Sequence, residues 1–437
     1  MRLSVIGCGY LGAVHAASMA ELGHEVVGVD VDPGKVQALS AGEAPFFEPG
    51  LPEILRSAAA TGRLTFTTSM AAVQGARVHF IAGGTPQSRG SNSADLTYVD
   101  AAIDALIPHL TDGDLIVGKS TVPVGTAARL AQKVQDAGSG AMLAWNPEFL
   151  REGFAVKDTI APDRLVYGLP GEASAAAAAK ALLDEVYATA LAAETPLVVT
   201  DYATAELVKV SANAFLATKI SFINAIAEIA EVTGADVTQL ADAIGYDVRI
   251  GRRFLNAGIG FGGGCLPKDI RAFSARADEL GVGESVAFLK EVDAINLRRR
   301  QRVVDLVTEG LGGSVEGKKI AVLGLAFKPE SDDVRDSPSL DVATRFHDLG
   351  AEVVATDPEA IENARRRYPD LTYTTDIDEA LRGADAVVVV TEWKQFRAID
   401  PVAALEAVSG TLVVDGRNCL DHAAWRAAGW DYRGLGR

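Results

Sequence analysis

Cys265 follows three glycines in the run Gly262-Gly263-Gly264-Cys265-Leu266-Pro267-Lys268-Asp269. Pro267 near a first helical position marks a helix that begins there. The glycines allow a substrate carbon to approach the backbone. A helix N-terminus and Lys268 both favour a thiolate over a thiol. The chemistry on offer is attack by sulfur, and a buried structural thiol is the alternative. Asp269 lies one turn beyond the cysteine on the same helix face. It is placed either to orient a water or carry a proton, or only to complement the helix dipole.

A second group is Gly7-Cys8-Gly9-Tyr10-Leu11-Gly12. It follows an apolar strand over residues 2–7 and opens a helix running to about Leu22. Gly7 permits the tight turn, Gly9 the approach of a pyrophosphate, and Gly12 the packing of helix on strand. The helix N-terminus then faces phosphate. Asp30 ends a second strand, Glu25 to Val29, and is placed to accept from both ribose hydroxyls. A carboxylate there repels a 2′-phosphate, so the expected cofactor is NAD rather than NADP. Cys8 reads as a small residue filling the loop.

Asn146-Pro147-Glu148-Phe149-Leu150-Arg151-Glu152-Gly153 carries two carboxylates four residues apart. In a helix they share a face, one as general base and the other as a ligand for cofactor or water; a solvated acidic face is the plain alternative. Lys209 and Asn213 have the same spacing within an apolar helix, where a lysine needs a partner. They suit a developing oxyanion, or a structural ion pair. Ser120-Thr121-Val122-Pro123-Val124-Gly125-Thr126 follows a strand at the edge where such sheets bind ligands, and Thr121 is placed to hold water or a nicotinamide group.

The elements that must position these residues alternate between strand and helix. Strand patterns recur at Val78–Ala82, Leu115–Lys119 and Met142–Ala144, which argues a parallel sheet. From about Asp201 to Thr233 one helix extends on the order of 50 Å. It is apolar on much of its circumference, as either a core helix or a dimer spine. A further helical stretch ends near Arg302. The Ala-rich run from Ala173 to Ala193 reads as one amphipathic surface helix. Lys319-Ile320-Ala321-Val322-Leu323-Gly324 and Glu352-Val353-Val354-Ala355-Thr356-Asp357 echo the first half, but without its glycine spacing, so that loop is poorly shaped for a dinucleotide, and Lys328 suits another phosphate. The expected fold is α/β: two Rossmann-like, doubly wound parallel-sheet domains (1–198 and 316–437), joined by a long central helix and a helical dimerisation region (199–302) that carries the cysteine loop.

The 437 residues are 48% apolar and carry a net charge of −17, so nucleic acid and anionic membrane are not expected partners. Three widely separated cysteines argue against a disulfide framework or a zinc site, and no metal is expected. With no signal-peptide pattern at Met1, the expected setting is the reducing cytoplasm.

These motifs, together with Glu48-Pro49-Gly50-Leu51, Arg249-Ile250-Gly251, Phe327-Lys328-Pro329 and Asp415-Gly416-Arg417, resemble those of the UDP-glucose/GDP-mannose dehydrogenase family over nearly the whole chain. The resemblance implies oxidation of a nucleotide-sugar at C6 to a carboxylate, with two NAD reduced and with Cys265 forming a thiohemiacetal and then a thioester. It implies that Lys209 and Asn213 stabilise the oxyanion, while Thr121, Glu148 and Asp269 handle water and protons. The cofactor falls to Gly7, Gly9, Tyr10, Leu11, Gly12, Asp30, Lys35, Thr85, Thr121, Glu152, Lys268 and Arg335. The nucleotide-sugar falls to Glu148, Phe149, Leu150, Glu152, Lys209, Asn213, Phe254, Leu255, Asn256, Gly262, Lys328 and Arg417. Arg249 resembles an arginine that family dimers lend to the neighbouring site, which implies a homodimer or larger assembly.

Two departures stand out. Ala82-Gly83-Gly84 replaces a bulkier segment near the nicotinamide, and Asn256 stands where some relatives place a lysine. Pro162-Asp163-Arg164 and Tyr246-Asp247-Val248-Arg249 resemble the branch that takes UDP-glucose. Another UDP-hexose or GDP-mannose is the alternative substrate, and a non-catalytic nucleotide-sugar sensor the alternative class.

Overall fold

The computed structural model describes residues 1–437. Its first sheet comprises β1 (Arg2–Ile6), β2 (Glu25–Val29), β3 (Leu64–Thr67), β4 (Val78–Ile81), β5 (Leu115–Gly118), β6 (Met142–Trp145), β7 (Leu165–Leu169) and β8 (Leu197–Asp201), in the order β3-β2-β1-β4-β5-β6-β7-β8. The first six are parallel, β7 is antiparallel to β6, and β8 is parallel to β7. The central strands β4 and β5 are buried along their whole length. Such burial on both faces goes with near-continuous apolar runs rather than alternations, broken in β4 only by the buried His79, which meets Ser4 Oγ at 2.8 Å.

A second sheet repeats the plan: β9 (Lys319–Leu323), β10 (Glu352–Thr356), β11 (Thr372–Tyr373), β12 (Ala386–Val389), β13 (Leu412–Asp415) and β14 (Asp431–Gly434), in the order β11-β10-β9-β12-β13-β14, all parallel. In both sheets the strand order reverses beside the first strand. Ile6 faces Val29 on one side and Ile81 on the other, as Leu323 faces Thr356 and Val389. Crevices for ligands open at the carboxyl ends of such strands.

The chain forms two compact units, Met1–Ala212 with Ala275–Gly281, and Asn213–Ser274 with Val282–Arg437. The division between the units falls within the stretch 199–302, at Ala212/Asn213 and around Ala275–Gly281. Its long helix is continuous over Tyr202–Thr233. That helix has the length and apolar composition of a membrane span. In the second unit, however, it buries polar groups against protein partners: Ser221 Oγ donates to Val292 O at 2.7 Å, and Asn224 Oδ1 accepts from Gly258 N at 2.9 Å.

Two helix boundaries differ from the sequence expectation. The helix Phe288–Gly310 continues past Arg302, because Val303, Val304 and Val307 pack into the core of the second sheet, where the helix meets β13. The Ala-rich run is two helices, Ala173–Val186 and Ala188–Ala192. The break turns Tyr187 inward, where its hydroxyl meets Asn146.

Candidate active site

The dinucleotide turn lies in the first unit. Gly7 adopts φ +88°, and a Cβ at Gly12 would stand 1.9 Å from Gly7 O, so neither position admits a side chain. At Gly9 nothing lies within 4 Å of where a Cβ would be, which leaves the turn open to a ligand. The helix Tyr10–Glu21 starts there and packs its alanines on the sheet. Asp30 is buried at the end of β2. Its Oδ2 accepts from Cys8 N at 2.8 Å and from Lys35 Nζ at 2.9 Å, and its Oδ1 from Asp32 N at 3.0 Å. The turn, the open glycine and the terminal carboxylate fit a dinucleotide. Burial first, and Asp30 second, push the Cys8 thiol up to about 12, so it stays protonated.

The loops after β4 and β5 are tied together: Thr85 Oγ1 donates to Thr121 O at 2.8 Å, and Ser120 Oγ to Gly83 O at 2.6 Å. A residue the sequence reading missed secures the helix that follows. Glu206, 2% exposed, accepts from Gly125 N at 2.8 Å and Ala127 N at 2.6 Å. Burial raises its pKa.

Residues Pro147–Leu150 form no helix, so Glu148 and Glu152 do not share a helix face. Glu148 instead folds back. Its Oε2 accepts from Leu150 N at 2.6 Å, and its Oε1 lies 3.1 Å from Lys209 Nζ. Lys209 is 4% exposed and stands 5.5 Å from the Phe149 ring, which Arg164 covers at 3.7 Å. Glu152 is half-buried in the turn that follows. The loop begins at Asn146, whose Oδ1 accepts from Lys119 Nζ at 3.0 Å and Tyr187 OH at 2.6 Å. Burial lowers the Lys119 pKa to about 8; Glu148 opposes the shift and Lys209 adds to it. His15, Lys119, Glu148, Phe149, Arg164 and Tyr187 help line a cavity of about 40 Å³.

The cysteine loop lies in the second unit. Cys265 is exposed and not in a disulfide, which rejects the buried structural thiol. The helix Leu266–Glu279 begins at once, and Asp269 N donates to Cys265 O at 3.0 Å to close its first turn. Asp269 is 3% exposed; it accepts from Asn213 Nδ2 at 2.6 Å and from Lys268 Nζ at 2.6 Å. The neighbours that demand glycine here belong to the chain itself. A Cβ on Gly262 would meet Asp336 O at 2.3 Å, one on Gly263 the Phe327 ring at 2.8 Å, and one on Gly264 the Arg335 guanidinium at 2.3 Å. Packing against the 327–336 segment is by itself a reason for glycine at these three positions.

The remaining candidates fall in the same unit. Arg335 is paired with Asp333 at 2.7 Å, and Lys328 lies 5.4 Å from the Phe327 ring. Arg417 donates to the carbonyls of Val390 (2.9 Å), Gly260 (2.9 Å) and Phe327 (3.0 Å). Phe254 is partly exposed at φ +66°, whereas Leu255 is buried in the apolar cluster with Ile223 and Ala227. Asn256 Oδ1 accepts from Arg252 at 2.7 Å. Arg249 is exposed and paired with Asp247 at 2.6 Å. Asp357, the echo of Asp30, accepts at Oδ2 from Leu325 N (2.8 Å), Ala326 N (3.0 Å) and Trp393 Nε1 (3.1 Å), and at Oδ1 from Glu359 N and Ala360 N, both at 2.9 Å. Its oxygens are spent on the fold rather than held for a ribose.

Three models of the UDP-glucose/GDP-mannose dehydrogenase family match the chain in order: the NAD binding domain over residues 1–191, the central domain over 203–298 and the UDP binding domain over 321–422. The UDP-glucose 6-dehydrogenase of Rhizobium meliloti (strain 1021) is 42% identical, covering 100% of both chains. UDP-glucose 6-dehydrogenase TuaD of Bacillus subtilis (strain 168) is 41% identical over 100% of this chain and 93% of its own. Among solved structures, a UDP-glucose dehydrogenase from Pyrobaculum islandicum superposes with a TM-score of 0.90 at 41% identity, covering 100% of this chain and 97% of that one.

Proposed function

The chain belongs to the UDP-glucose/GDP-mannose dehydrogenase family, and on that premise we propose that it oxidises UDP-glucose at C6 to UDP-glucuronate, with two NADH formed per sugar. The observation that carries the reading is the exposed Cys265 thiol at the start of a helix, in the same unit as the Asn213–Asp269 pair. Oxidation that stopped at an aldehyde would need no nucleophile.

The Gly7–Gly12 turn and Asp30 would hold NAD, which when bound would accept the electrons of both oxidations. The first removes two electrons and two protons from the C6 alcohol and leaves an aldehyde. The Cys265 thiolate adds to that carbon, forming the C–S bond of a thiohemiacetal as the oxygen takes a proton. The second oxidation converts this to a thioester. Water then adds, the C–S bond breaks, and the carboxylate and free thiol result. Lys209, with its buried ammonium against Glu148, stabilises negative charge on oxygen. Asn213 shares that role and orients Asp269, which with Glu148 and Thr121 handles water and protons.

The working unit is a homodimer or larger. Phe215, Phe222 and Ile229 recur every seven residues on the long helix and are 66%, 52% and 56% exposed, an apolar stripe suited to a second copy of the chain. Arg249, with its side chain 86% exposed, suits a reach to a neighbouring copy. The three cysteines, none in a disulfide, support a reducing, cytoplasmic setting.

The test is a panel of UDP-glucose, UDP-N-acetylhexosamines, UDP-galactose and GDP-mannose, with NADH and acid counted per sugar. UDP-glucose is expected to react best and to yield two NADH. A ratio near one removes the thioester route, and preference for another nucleotide-sugar replaces the substrate.

A further inference from the structure

Glu48 lies in the Glu48-Pro49-Gly50-Leu51 motif, and the reaction proposed above gives it no part. It is 3% exposed, a costly place for a carboxylate unless donors surround it. Each hydrogen bond it makes is to a donor. Oε2 accepts from the Tyr10 hydroxyl and from Gly153 N at 2.6 Å; Oε1 accepts from Ala155 N at 2.7 Å and, at longer range, Val156 N at 3.4 Å. Gly153 N also points at the Tyr10 hydroxyl, 3.2 Å away.

These contacts join two segments far apart in sequence. Tyr10 is the first residue of the helix that opens at the dinucleotide turn. Gly153 closes the loop carrying Glu148, Phe149, Leu150 and Glu152. The other end of that loop has its own anchor, Asn146, held by Lys119 and Tyr187. The downstream end is therefore tied to the cofactor turn through one carboxylate.

We propose that Glu48 is a positioning residue, fixing the end of the 146–153 loop to the dinucleotide turn so that Glu148 and Glu152 hold their places beside it. This rests on the reaction proposed above. It also explains why the position needs a charged acid rather than an isosteric amide. Both carboxylate oxygens accept, whereas a glutamine must aim its NH₂ at one set of donors. The Tyr10 hydroxyl can rotate away from that NH₂, but the amides of Gly153 and Ala155 cannot.

The experiment compares the full-length wild type with Glu48→Gln, Tyr10→Phe and the double variant. Three quantities are read: kcat/KM for UDP-glucose at saturating NAD, NADH affinity by fluorescence, and deuterium exchange of the amides at 153–156. Glu48→Gln is expected to lower kcat/KM for the sugar about tenfold or more and to speed exchange at Gly153 and Ala155. NADH affinity is expected to change much less. Tyr10→Phe is expected to add little in the Glu48→Gln background, because the two act through one bond network. Wild-type kcat/KM with unchanged exchange in Glu48→Gln overturns the proposal, as do strictly additive losses. If Glu48→Gln does not fold, Tyr10→Phe alone decides: unchanged exchange at Gly153 counts against the link. Absence of turnover by the wild type would unseat the reaction instead, and the exchange of the Gly153 and Ala155 amides still judges Glu48.

Discussion

Lys209 Nζ lies 3.1 Å from Glu148 Oε1, with only 6% and 13% of their side chains exposed. A pair so withdrawn from water is weak evidence for stability, but removing one partner strands the other. Lys209→Met is therefore expected to destabilise the first unit by about 3 kcal/mol in urea unfolding. The same variant should lower turnover about 10²-fold or more, through loss of charge stabilisation. Adding Glu148→Leu should recover part of the stability and none of the turnover. Recovery of both would make the pair structural only.

Cys265 is the exposed thiol of three. Burial holds the Cys8 and Cys419 thiols well up, with Asp30 and Asp415 adding to the effect. Iodoacetamide at neutral pH should therefore label Cys265 first and stop acid formation in step with labelling. Cys265→Ser should cut acid formation about 10³-fold while NADH still binds. Inactivation that tracked another cysteine would break the nucleophile assignment.

Asp30 holds the turn through Cys8 N and Asp32 N, and we propose that it also accepts from the ribose of NAD. Asp30→Ala should raise the Kd for NADH about tenfold or more, the worth of one hydrogen bond to a charged group. Discrimination against NADPH should narrow at the same time, because the repelling carboxylate is gone. Fluorescence titration with both nucleotides measures each effect, and unchanged selectivity would move the specificity elsewhere.

Lys119 has its pKa lowered by burial from an ordinary 10.5 to about 8. Between those values the unfolded chain binds more protons at this residue than the folded one, so its contribution to stability rises with pH. Relative to Lys119→Met, the wild type should gain in Tm as pH goes from 8 toward 10.5, and its disadvantage should be largest and flat below 8. Parallel Tm curves for the two proteins would mean that Lys119 titrates normally.

The features that proved legible were local ones. The Gly7–Gly12 turn, Asp30 at the end of β2 and the helix Tyr202–Thr233 each arise from backbone geometry or residue periodicity over a few turns of chain, which the sequence by itself determined. The repeat of that pattern in the second sheet was visible for the same reason, including the missing glycines at Gly324. Only the tertiary structure decided the rest. It put Glu148 in a loop rather than on a helix, because Leu150 N and Lys209 claim its carboxylate. It gave Gly262, Gly263 and Gly264 their reason in Asp336, Phe327 and Arg335, more than sixty residues downstream. It also joined Glu48 to Gly153 and Lys119 to Asn146 across separations of 105 and 27 residues. Spacing along a chain encodes which residues share a face of one element. Which buried donor meets which buried acceptor is settled only when folding excludes water and each polar group must find a partner.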